Sequence, residues 1–443
     1  MRFSKSLIFK ILAAVLLAVQ AVGQEFPRPS AAQLAWHETE FYLFFHFGPN
    51  TFTNLEWGHG TETEDVFNPT ALDCDQWCRV AKAAGARGVL ITAKHHDGFC
   101  LWPSKYSRHT VRESQWKNGQ GDVLRELSEA ARRHGLKFGV YLSPWDRNHP
   151  QYGTPEYNDV YINTLTELMT GYGDLFEIWW DGANGEGPNG KRQVYDFHRF
   201  EKAAAKLQPN AVIFSDIGPG CRWVGNEQGT VGETNWCMLD TAGFTRGAGG
   251  PPPETLQTGN ENGAHWIPAE CDVSIRPGWF YHAEEDDKVK SPAQLFDIYM
   301  KSVGRGANLI LNVPPDRRGR VHANDSLALV GFGEKVWGAF SHDLAAGRKL
   351  KKRAGSTFVL DLGKPLEINC LALREDVQAG GQRVRSFKIE VLEGSKWKEV
   401  ARPTTIGFRR FVSFPMVKAK KVRITILDSK AAPLLAEVRV HRI

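Results

Sequence analysis

GDVLRELSEAARRHG at 121–135, followed by KFGVYLSPW at 137–145, forms a helix-then-strand unit that recurs along the chain. The first segment carries apolar residues at helical spacing, and the second is a short apolar run that ends at Pro and Trp. Comparable apolar runs are FYLFFHFG (41–48), GVLITAKHH (88–96), LFEIWWDG (175–182), AVIFSDIG (211–218) and NLILNVPP (308–315). Helical spacing recurs between them. Strands that alternate with helices in this way favour a parallel sheet.

The number of these units between residues 40 and 315 favours a closed (β/α)₈ barrel, an α/β fold. Six strands are clear, and the remaining two are predicted near TVGETNWCMLD (230–240) and AECDVSI (269–275). A doubly wound open sheet is less favoured, because no glycine-rich phosphate loop follows the first strand. Interval 240–265 is rich in Gly and Pro and predicts a long loop that shapes the substrate site.

The character of the sequence changes after KLKKRAG at 349–355. Short alternating runs follow without helical spacing, which is typical of an antiparallel β-sandwich. We therefore predict a catalytic barrel over 24–345 and a sandwich over 346–443. The sandwich has a single indole, at Trp397, so packing against the barrel is favoured over independent sugar binding.

The first 23 residues carry three cations, then a short apolar run that ends in small residues. This pattern is typical of a secretory signal peptide, and it predicts an exported protein, periplasmic or extracellular. The run is shorter than the roughly 20 residues that span a bilayer, so no transmembrane segment is expected. An uncleaved N-terminal anchor is the less favoured alternative.

The composition restricts the classes of partner that we expect for this protein. A net charge of +5 over 443 residues, without a basic block, makes nucleic acid an unexpected partner. Fourteen tryptophans offer flat apolar faces with a polar edge, which suit sugars, although many of them are expected in the core. Seven cysteines leave at least one thiol unpaired. Cys74 and Cys78, one helical turn apart, are predicted to be buried thiols rather than a metal or redox pair.

Polar residues follow the predicted strands, where barrel enzymes place their catalytic groups. They are His46, His95, His96, Asp97, Asp146, Asp181 and Asp216. Asp181 follows an almost entirely apolar strand and is predicted to enter a pocket beside Trp179 or Trp180. A carboxylate of this kind can attack an anomeric carbon, provided that a second carboxyl group acts as acid and then as base. Helix capping is the structural alternative for Asp181.

The second carboxyl group is not fixed by spacing. Glu56, Glu227, Glu233, Glu261 and Glu270 all fall in plausible loops. Glu227 lies in a glycine-flanked loop beside Trp223, where partial desolvation suits a general acid.

The imidazoles of His46, His95 and His96 are predicted to bind sugar hydroxyls rather than a metal ion. Metal-dependent barrel hydrolases usually place an HxH pair at the first strand, but Phe44 stands two residues before His46. His95 and His96 would also point to opposite sides if their strand continued through them. We expect no metal and no cofactor.

Several segments together resemble the retaining α-L-fucosidases of glycoside hydrolase family 29. They are WHETEFYLFFHFG, EWG, TAKHHDGFCLWPSKYS, GVYLSPWD, EIWWDG, RWVGNEQG, SIRPGWFYH and GANLILNVPPDRRG, which together span nearly all of 36–320. The resemblance implies a fucosylated oligosaccharide or glycoconjugate as substrate and Asp181 as the nucleophile. It implies sugar contacts from His46, Glu56, Trp57, His95, His96, Tyr141 and Trp279, and more weakly from Arg222.

RWVGNEQG resembles the branch that acts on α-1,3- and α-1,4-linked fucose, in which a Glu of this motif is the acid/base. This implies Glu227. Broad specificity, or a related α-L-galactosidase activity, is the alternative, because an apolar slot rejects one added hydroxyl only modestly. A glycan-binding protein without turnover is less favoured, because both candidate carboxylates are present.

Overall fold

The computed structural model describes residues 26–443, so the predicted signal peptide at 1–23 lies outside the described residues. Within them, eight parallel strands close a barrel in which neighbours in sequence are neighbours in space and the last strand pairs with the first. The strands are β1 (Phe41–Phe45), β2 (Gly88–Lys94), β3 (Lys137–Leu142), β4 (Leu175–Trp179), β5 (Val212–Ser215), β6 (Cys221–Trp223), β7 (Ala269–Ser274) and β8 (Asn308–Asn312).

Helices cover the barrel and connect its strands. They are α1 (Ala31–His37), α2 (Pro49–Thr53), α3 (Cys74–Ala83), α4 (Val123–Arg133), α5 (Tyr157–Gly171), α6 (Phe197–Leu207), α7 (Pro253–Thr258), α8 (Pro292–Lys301) and α9 (Ala323–Phe340). A short helix α10 (Val377–Gly380) lies in the C-terminal domain. Short 3₁₀ turns occupy Glu64–Val66, Trp116–Gly119, Ala283–Glu285 and Val303–Arg305. Asp73, Asp122 and Asp196 cap α3, α4 and α6 by accepting a backbone N–H in the first turn.

Glycines stand just past the ends of α4 and α5. Gly135 and Gly173 have φ of 64° and 84°, in the left-handed region that a residue with a Cβ avoids. The chain can therefore turn directly into the strand that follows.

Seven of the eight predicted strands are confirmed, and one prediction is wrong. The strand predicted at 230–240 is outside the barrel, where Met238–Leu239 pairs with His265–Trp266 in a short antiparallel ribbon. Cys221–Trp223 is the sixth barrel strand instead. It is three residues long with a charged residue in the middle, so it has no apolar run that a sequence pattern could reveal.

Strand residues alternate between the barrel interior and the helical layer, as a pleated strand requires. Tyr42 and Phe44 of β1 point into the barrel, whereas Leu43 and Phe45 pack in the large cluster that includes the helices. Interior aromatic side chains therefore fill the barrel below its C-terminal end.

The C-terminal part is an antiparallel sheet domain, which confirms the predicted fold class. Its strands are β9 (Lys351–Lys352), β10 (Thr357–Glu375), β11 (Val384–Glu393), β12 (Lys396–Ala401), β13 (Arg410–Ser429) and β14 (Leu435–His441). β10 and β13 are longer than the short strands expected from the sequence. Their register shifts between Asp361 and Leu366, where the chain has the sequence Gly-Lys-Pro.

This domain packs on the barrel through a shared apolar core. Cys370, Ala372 and Phe411 belong to the same buried cluster as the barrel helices. The Phe411 ring stacks on Phe340 of α9 at a centroid distance of 4.3 Å. The side chain of Arg410 is buried and donates a hydrogen bond to the carbonyl of Glu233 at 2.9 Å.

All seven cysteines lie in the described residues and are buried, unpaired thiols. Burial raises the pKa of Cys78 to about 12, as expected for a structural thiol on a helix. Over residues 26–443, no helix combines the length and apolarity needed to cross a membrane.

Candidate active site

A cavity of about 490 Å³ opens at the C-terminal end of the barrel. Nine of the ten residues predicted to form the site line it: His46, Glu56, Trp57, His95, His96, Tyr141, Asp181, Glu227 and Trp279. They come from different strands and loops, so the barrel alone brings them together.

Asp181 is held in the cavity by two donors. The Tyr141 hydroxyl donates to its Oδ2 at 3.1 Å, and the backbone N–H of Ala183 donates to its Oδ1 at 2.7 Å. Of its two neighbouring indoles, Trp179 lines the cavity, whereas Trp180 is fully buried on the opposite side. The carboxylate is therefore oriented by both of its oxygens.

Glu227 is exposed and reaches the same cavity from the loop after β6. The indole Nε1 of Trp279 donates to its Oε2 at 3.1 Å. Its other oxygen has no protein donor among the described hydrogen bonds and is available to a ligand. Because protein does not cover this carboxyl group, its desolvation must come from the bound ligand.

Glu56 does not project a free carboxylate into the cavity. It accepts hydrogen bonds from the backbone N–H groups of Trp279 at 2.8 Å and Phe280 at 3.2 Å, and it lies 2.6 Å from His282 Nε2. It thereby fixes the segment that carries Trp279. Through Trp279, Glu56 is also connected to Glu227.

The imidazoles in the cavity are neutral. Burial lowers the pKa of His46 to about 3 and that of His96 to about 4. The Ser143 hydroxyl donates to the carbonyl of Trp145, so it accepts from His96 Nδ1 at 2.7 Å. His96 thus carries its proton on Nδ1 and offers Nε2 as an acceptor.

His95 and His96 both line the cavity, because β2 ends at Lys94 and strand alternation does not apply to them. Burial lowers the pKa of His95 well below its usual range, with His96 as a further cause. Its Nδ1 is buried and has no hydrogen-bond partner in the part of the chain that the structure describes. His95 packs in parallel with Tyr141 at a centroid distance of 5.7 Å.

Arg222 is the predicted site residue that the structure does not bring to the cavity. It is fully buried, and it donates to the carbonyls of Leu256 and Trp236 and to the Asn235 side chain at 2.9, 3.2 and 3.1 Å. Trp223 faces the cavity, and adjacent residues of a strand face opposite ways. Arg222 is therefore a structural residue.

Trp179, predicted beside Asp181, lines the cavity, and so do residues to which the sequence analysis gave no catalytic or sugar-binding role: Phe44, Gly182, Ala183, Phe214, Asp216, Trp223, Gly250, Pro251, Pro253, Leu256 and Asp272. Asp216 shared the strand-end signal with Asp181 but has no motif. Asp272 lies inside a predicted strand, which gave no signal. The predicted long loop does contribute, through residues 250–256. By contrast, Asp97 and Asp146 do not line the cavity, and Asp146 pairs with buried Lys94 at 2.9 Å.

The cavity is lined by acidic side chains and, among the described residues, by no lysine or arginine side chain. Five acidic residues line it, and none of its described lining residues is lysine or arginine. Burial raises the pKa of Asp272 well above its usual range, and nearby Glu227 adds to this. Aromatic faces surround these groups, with Trp57 exposed at the rim. Such a site suits an uncharged polar ligand and stabilises positive charge that develops on it.

Comparison with known proteins identifies the family. The sequence profile described as alpha-L-fucosidase matches residues 29–337. The chain belongs to the alpha-L-fucosidase family. A profile described as the F5/8 type C domain matches residues 339–438, which contain the C-terminal sheet.

Relatives support this over nearly the whole chain. Alpha-L-fucosidase 1 of Arabidopsis thaliana is 41% identical over 94% of this chain and 87% of its own length. The crystal structure of a glycoside hydrolase 29 family member from an unknown rumen bacterium is 44% identical, with a TM-score of 0.87 over 94% of this chain and 77% of that one. The Ruminococcus gnavus GH29 fucosidase in complex with fucose is 27% identical, with a TM-score of 0.83 over 94% and 95% of the two chains. This chain is thus a glycoside hydrolase of family 29 with alpha-L-fucosidase activity towards fucosylated glycans.

Proposed function

We propose that this alpha-L-fucosidase is an exo-acting enzyme that retains anomeric configuration, with Asp181 as nucleophile and Glu227 as acid/base. The observation that carries the proposal is that both carboxyl groups line one cavity and each is held by an aromatic side chain, Tyr141 and Trp279 respectively. A retaining glycosidase requires such a pair.

In this mechanism, Glu227 donates its proton to the leaving oxygen as Asp181 Oδ2 or Oδ1 bonds to C1. The glycosidic bond breaks, and a fucosyl-enzyme forms. Water then attacks C1 and gives its proton to Glu227, and Asp181 departs as carboxylate. The cation-free, carboxylate-rich lining stabilises the positive charge that C1 carries between these states.

The neutral imidazoles of His46, His95 and His96 are placed to bind fucose hydroxyls. His96 Nε2 accepts a hydroxyl proton, because Nδ1 is bound to Ser143. His95 lines the cavity as well, and its ring reaches the sugar by a surface other than the buried Nδ1. Trp57 and Trp279 offer apolar faces to the sugar, and Glu56 acts by holding Trp279.

Azide rescue tests the two roles, with α-L-fucosyl fluoride as a substrate whose leaving group departs without a proton. In Asp181→Ala, azide takes the place of the nucleophile, so we expect β-fucosyl azide. In Glu227→Ala, the fucosyl-enzyme still forms and azide displaces Asp181, so we expect α-fucosyl azide. Nuclear magnetic resonance distinguishes the two products.

The matched control is Glu254→Ala, which removes an exposed glutamate from the first turn of α7, beside the cavity. It should behave like wild type and give no fucosyl azide. Rescue of Glu227→Ala with the β product would exclude the fucosyl-enzyme and would make the enzyme inverting.

We also propose a preference for α-1,3- and α-1,4-linked fucose. Glu227 lies in RWVGNEQG, the motif that resembles this branch, and residues 250–256 add a wall beside it. The cavity volume of about 490 Å³ is in the range of sites that hold ligands larger than one monosaccharide.

Fucose release from a Lewis-type trisaccharide and from a 2-linked fucosyl-lactose tests the linkage preference. We expect release from the branched trisaccharide with a higher kcat/KM. Equal values on the two sugars would favour broad specificity. The remaining alternative, α-L-galactosidase activity, is tested by measuring release of L-galactose from the matching galactoside.

Export is a further proposal, which rests on residues 1–23. Expression in a secreting host should give a protein whose N-terminus begins near residue 24 in the periplasmic or culture fraction, as read by N-terminal sequencing. Deletion of residues 2–23 should leave the enzyme inside the cell. Full-length protein that starts at Met1 in the membrane fraction would indicate an anchor instead.

A further inference from the structure

Two glutamates meet inside the barrel, below the cavity, and the mechanism above does not use them. Glu177 of β4 and Glu270 of β7 are both fully buried. Their carboxyl groups approach each other closely in the barrel interior. One oxygen of each lies within 4.8 Å of the other and of the Cys221 thiol.

Three donors reach this pair, and they are unevenly distributed. Glu270 accepts from Trp179 Nε1 at 2.7 Å and from the Tyr42 hydroxyl. Glu177 accepts from Trp36 Nε1 at 2.8 Å through Oε2. Glu177 Oε1 is buried and has no donor among residues 26–443.

Two unshielded carboxylates at this distance would repel each other strongly. The nearest cationic side chain on the adjoining strand, Arg222, faces outward and is bound to backbone carbonyls. One proton held between the two groups removes the repulsion and also satisfies Glu177 Oε1. Burial raises the pKa of Glu177 to about 7 and that of Glu270 well above its usual range, with the Glu177 charge adding to the latter.

The pair is connected to the substrate cavity through one indole. Trp179 lines the cavity and stacks on Phe214 at a centroid distance of 3.9 Å and an interplanar angle of 6°. It also packs against Tyr141, the hydroxyl donor to Asp181, at 5.2 Å. The hydrogen bond from Trp179 Nε1 to Glu270 therefore sets the rotation of a ring that faces the cavity on one side and packs against Tyr141, the partner of Asp181, on another.

We propose that Glu177 and Glu270 share one proton and act as positioning residues that hold Trp179 in the orientation the sugar requires. Glu270 is the acceptor for the indole, and Glu177 supplies the shared proton that keeps the pair monoanionic. The inference rests on the proposed role of the cavity, but the shared proton can be measured without catalysis.

Two isosteric variants separate the roles. In Glu177→Gln, the amide N–H₂ donates permanently to Glu270, which keeps both acceptor oxygens, so most of the kcat/KM on α-L-fucosyl fluoride should remain. In Glu270→Gln, one oxygen must serve both Trp179 and Tyr42, so KM should rise by about tenfold with a smaller change in kcat. Adding Tyr42→Phe to Glu270→Gln removes the competing donor and should lower KM again.

Stability measured against pH reports the proton directly. Because folding raises the pKa of Glu177 from 4.5 to about 7, the folded state binds more protons in that interval, and stability falls as pH rises through it. Glu177→Gln should reduce this fall. The matched control is Glu375→Gln, which removes another buried glutamate whose pKa is raised to about 7, in the C-terminal domain. It should also reduce the fall but leave KM unchanged.

Three results would overturn the proposal. An unchanged pH dependence of stability in Glu177→Gln would mean that no proton is shared. Equal increases of KM in both single variants would mean that the pair has no defined acceptor. Stoichiometric metal in the purified protein that is lost in Glu177→Gln would mean that both carboxyl groups are ionised ligands. Failure of the Asp181 and Glu227 assignments would leave the pH result standing.

Discussion

Replacement of Glu227 by glutamine isolates the proton from the position of the side chain. Glutamine has the same size, and its carbonyl oxygen can accept the Trp279 Nε1 hydrogen bond that Glu227 Oε2 accepts at 3.1 Å. Because Glu227 is exposed, the substitution creates no cavity and leaves no buried polar group unpaired. The variant should fold with wild-type stability and lack only the proton that the leaving oxygen needs.

The size of the loss depends on the leaving group. General acid catalysis contributes roughly 10²- to 10⁴-fold, which is about 3 to 5 kcal/mol of transition-state stabilisation. An oligosaccharide leaving group needs the proton and should lose kcat/KM by this factor. Fluoride departs without it, so kcat/KM on α-L-fucosyl fluoride should change by less than about threefold.

The assay compares kcat/KM for fucose release from a branched trisaccharide with kcat/KM for fluoride release, both in wild type and in Glu227→Gln. Glu254→Gln, at an exposed position of the neighbouring helix α7, is the control and should match wild type on both substrates. A parallel loss on both substrates would refute the reasoning, since it would indicate misplacement of the substrate. An unimpaired trisaccharide rate would place the acid elsewhere, with Asp272 as the next carboxyl group to test.

Three further predictions follow from the contacts of the site. Tyr141→Phe keeps the ring but removes the donor to Asp181, so kcat/KM should fall by about tenfold. The control is Tyr172→Phe. The Tyr172 hydroxyl donates to Asp122 at 3.0 Å, in a region outside the cavity, so this variant should keep activity. Glu56 accepts hydrogen bonds from two backbone N–H groups, so Glu56→Gln should loosen the segment that carries Trp279. In steady-state kinetics, KM should rise more than kcat falls. The same kinetics are measured for Glu62→Gln, a substitution on the same loop. The pKa of His96 is about 4 in the folded protein, against 6.5 in the unfolded chain, so the unfolded state binds more protons between these values. Stability should therefore fall as pH drops from 6.5 towards 4. In His96→Gln, the melting temperature measured in thermal melts should depend less steeply on pH.

Most of the barrel could be predicted because its strands are short apolar runs between helices with clear caps. The exception, β6, has Arg222 between Cys221 and Trp223, so neither its length nor its pattern signals a strand. Arg222 was expected at the cavity because it stands beside Trp223, and the same strand explains why it does not reach it. A residue beside a cavity-lining tryptophan in sequence lies on the opposite face in a strand.

The cavity could be predicted where a polar residue follows a strand, as for His46, His95 and Asp181. Residues inside strands, such as Phe44 and Asp272, carry no such signal, because the sequence pattern of an interior aromatic or acidic residue is that of the core until the closure of the barrel is known. The Glu177–Glu270 pair is the strongest example. The two residues are 93 positions apart in sequence, and only the barrel brings them together.

The stacking of Phe411 on Phe340 has a consequence for recombination between members of this family. Phe340 closes the last barrel helix, and Phe411 begins a strand of the following domain, so the two parts are complementary across residues far apart in the gene. A crossover in the connecting segment 341–350 would join a barrel to a sheet that evolved against another helix. Chimeras that transfer α9 together with the sheet keep this pair intact, and they are the ones in which both parts should survive exchange.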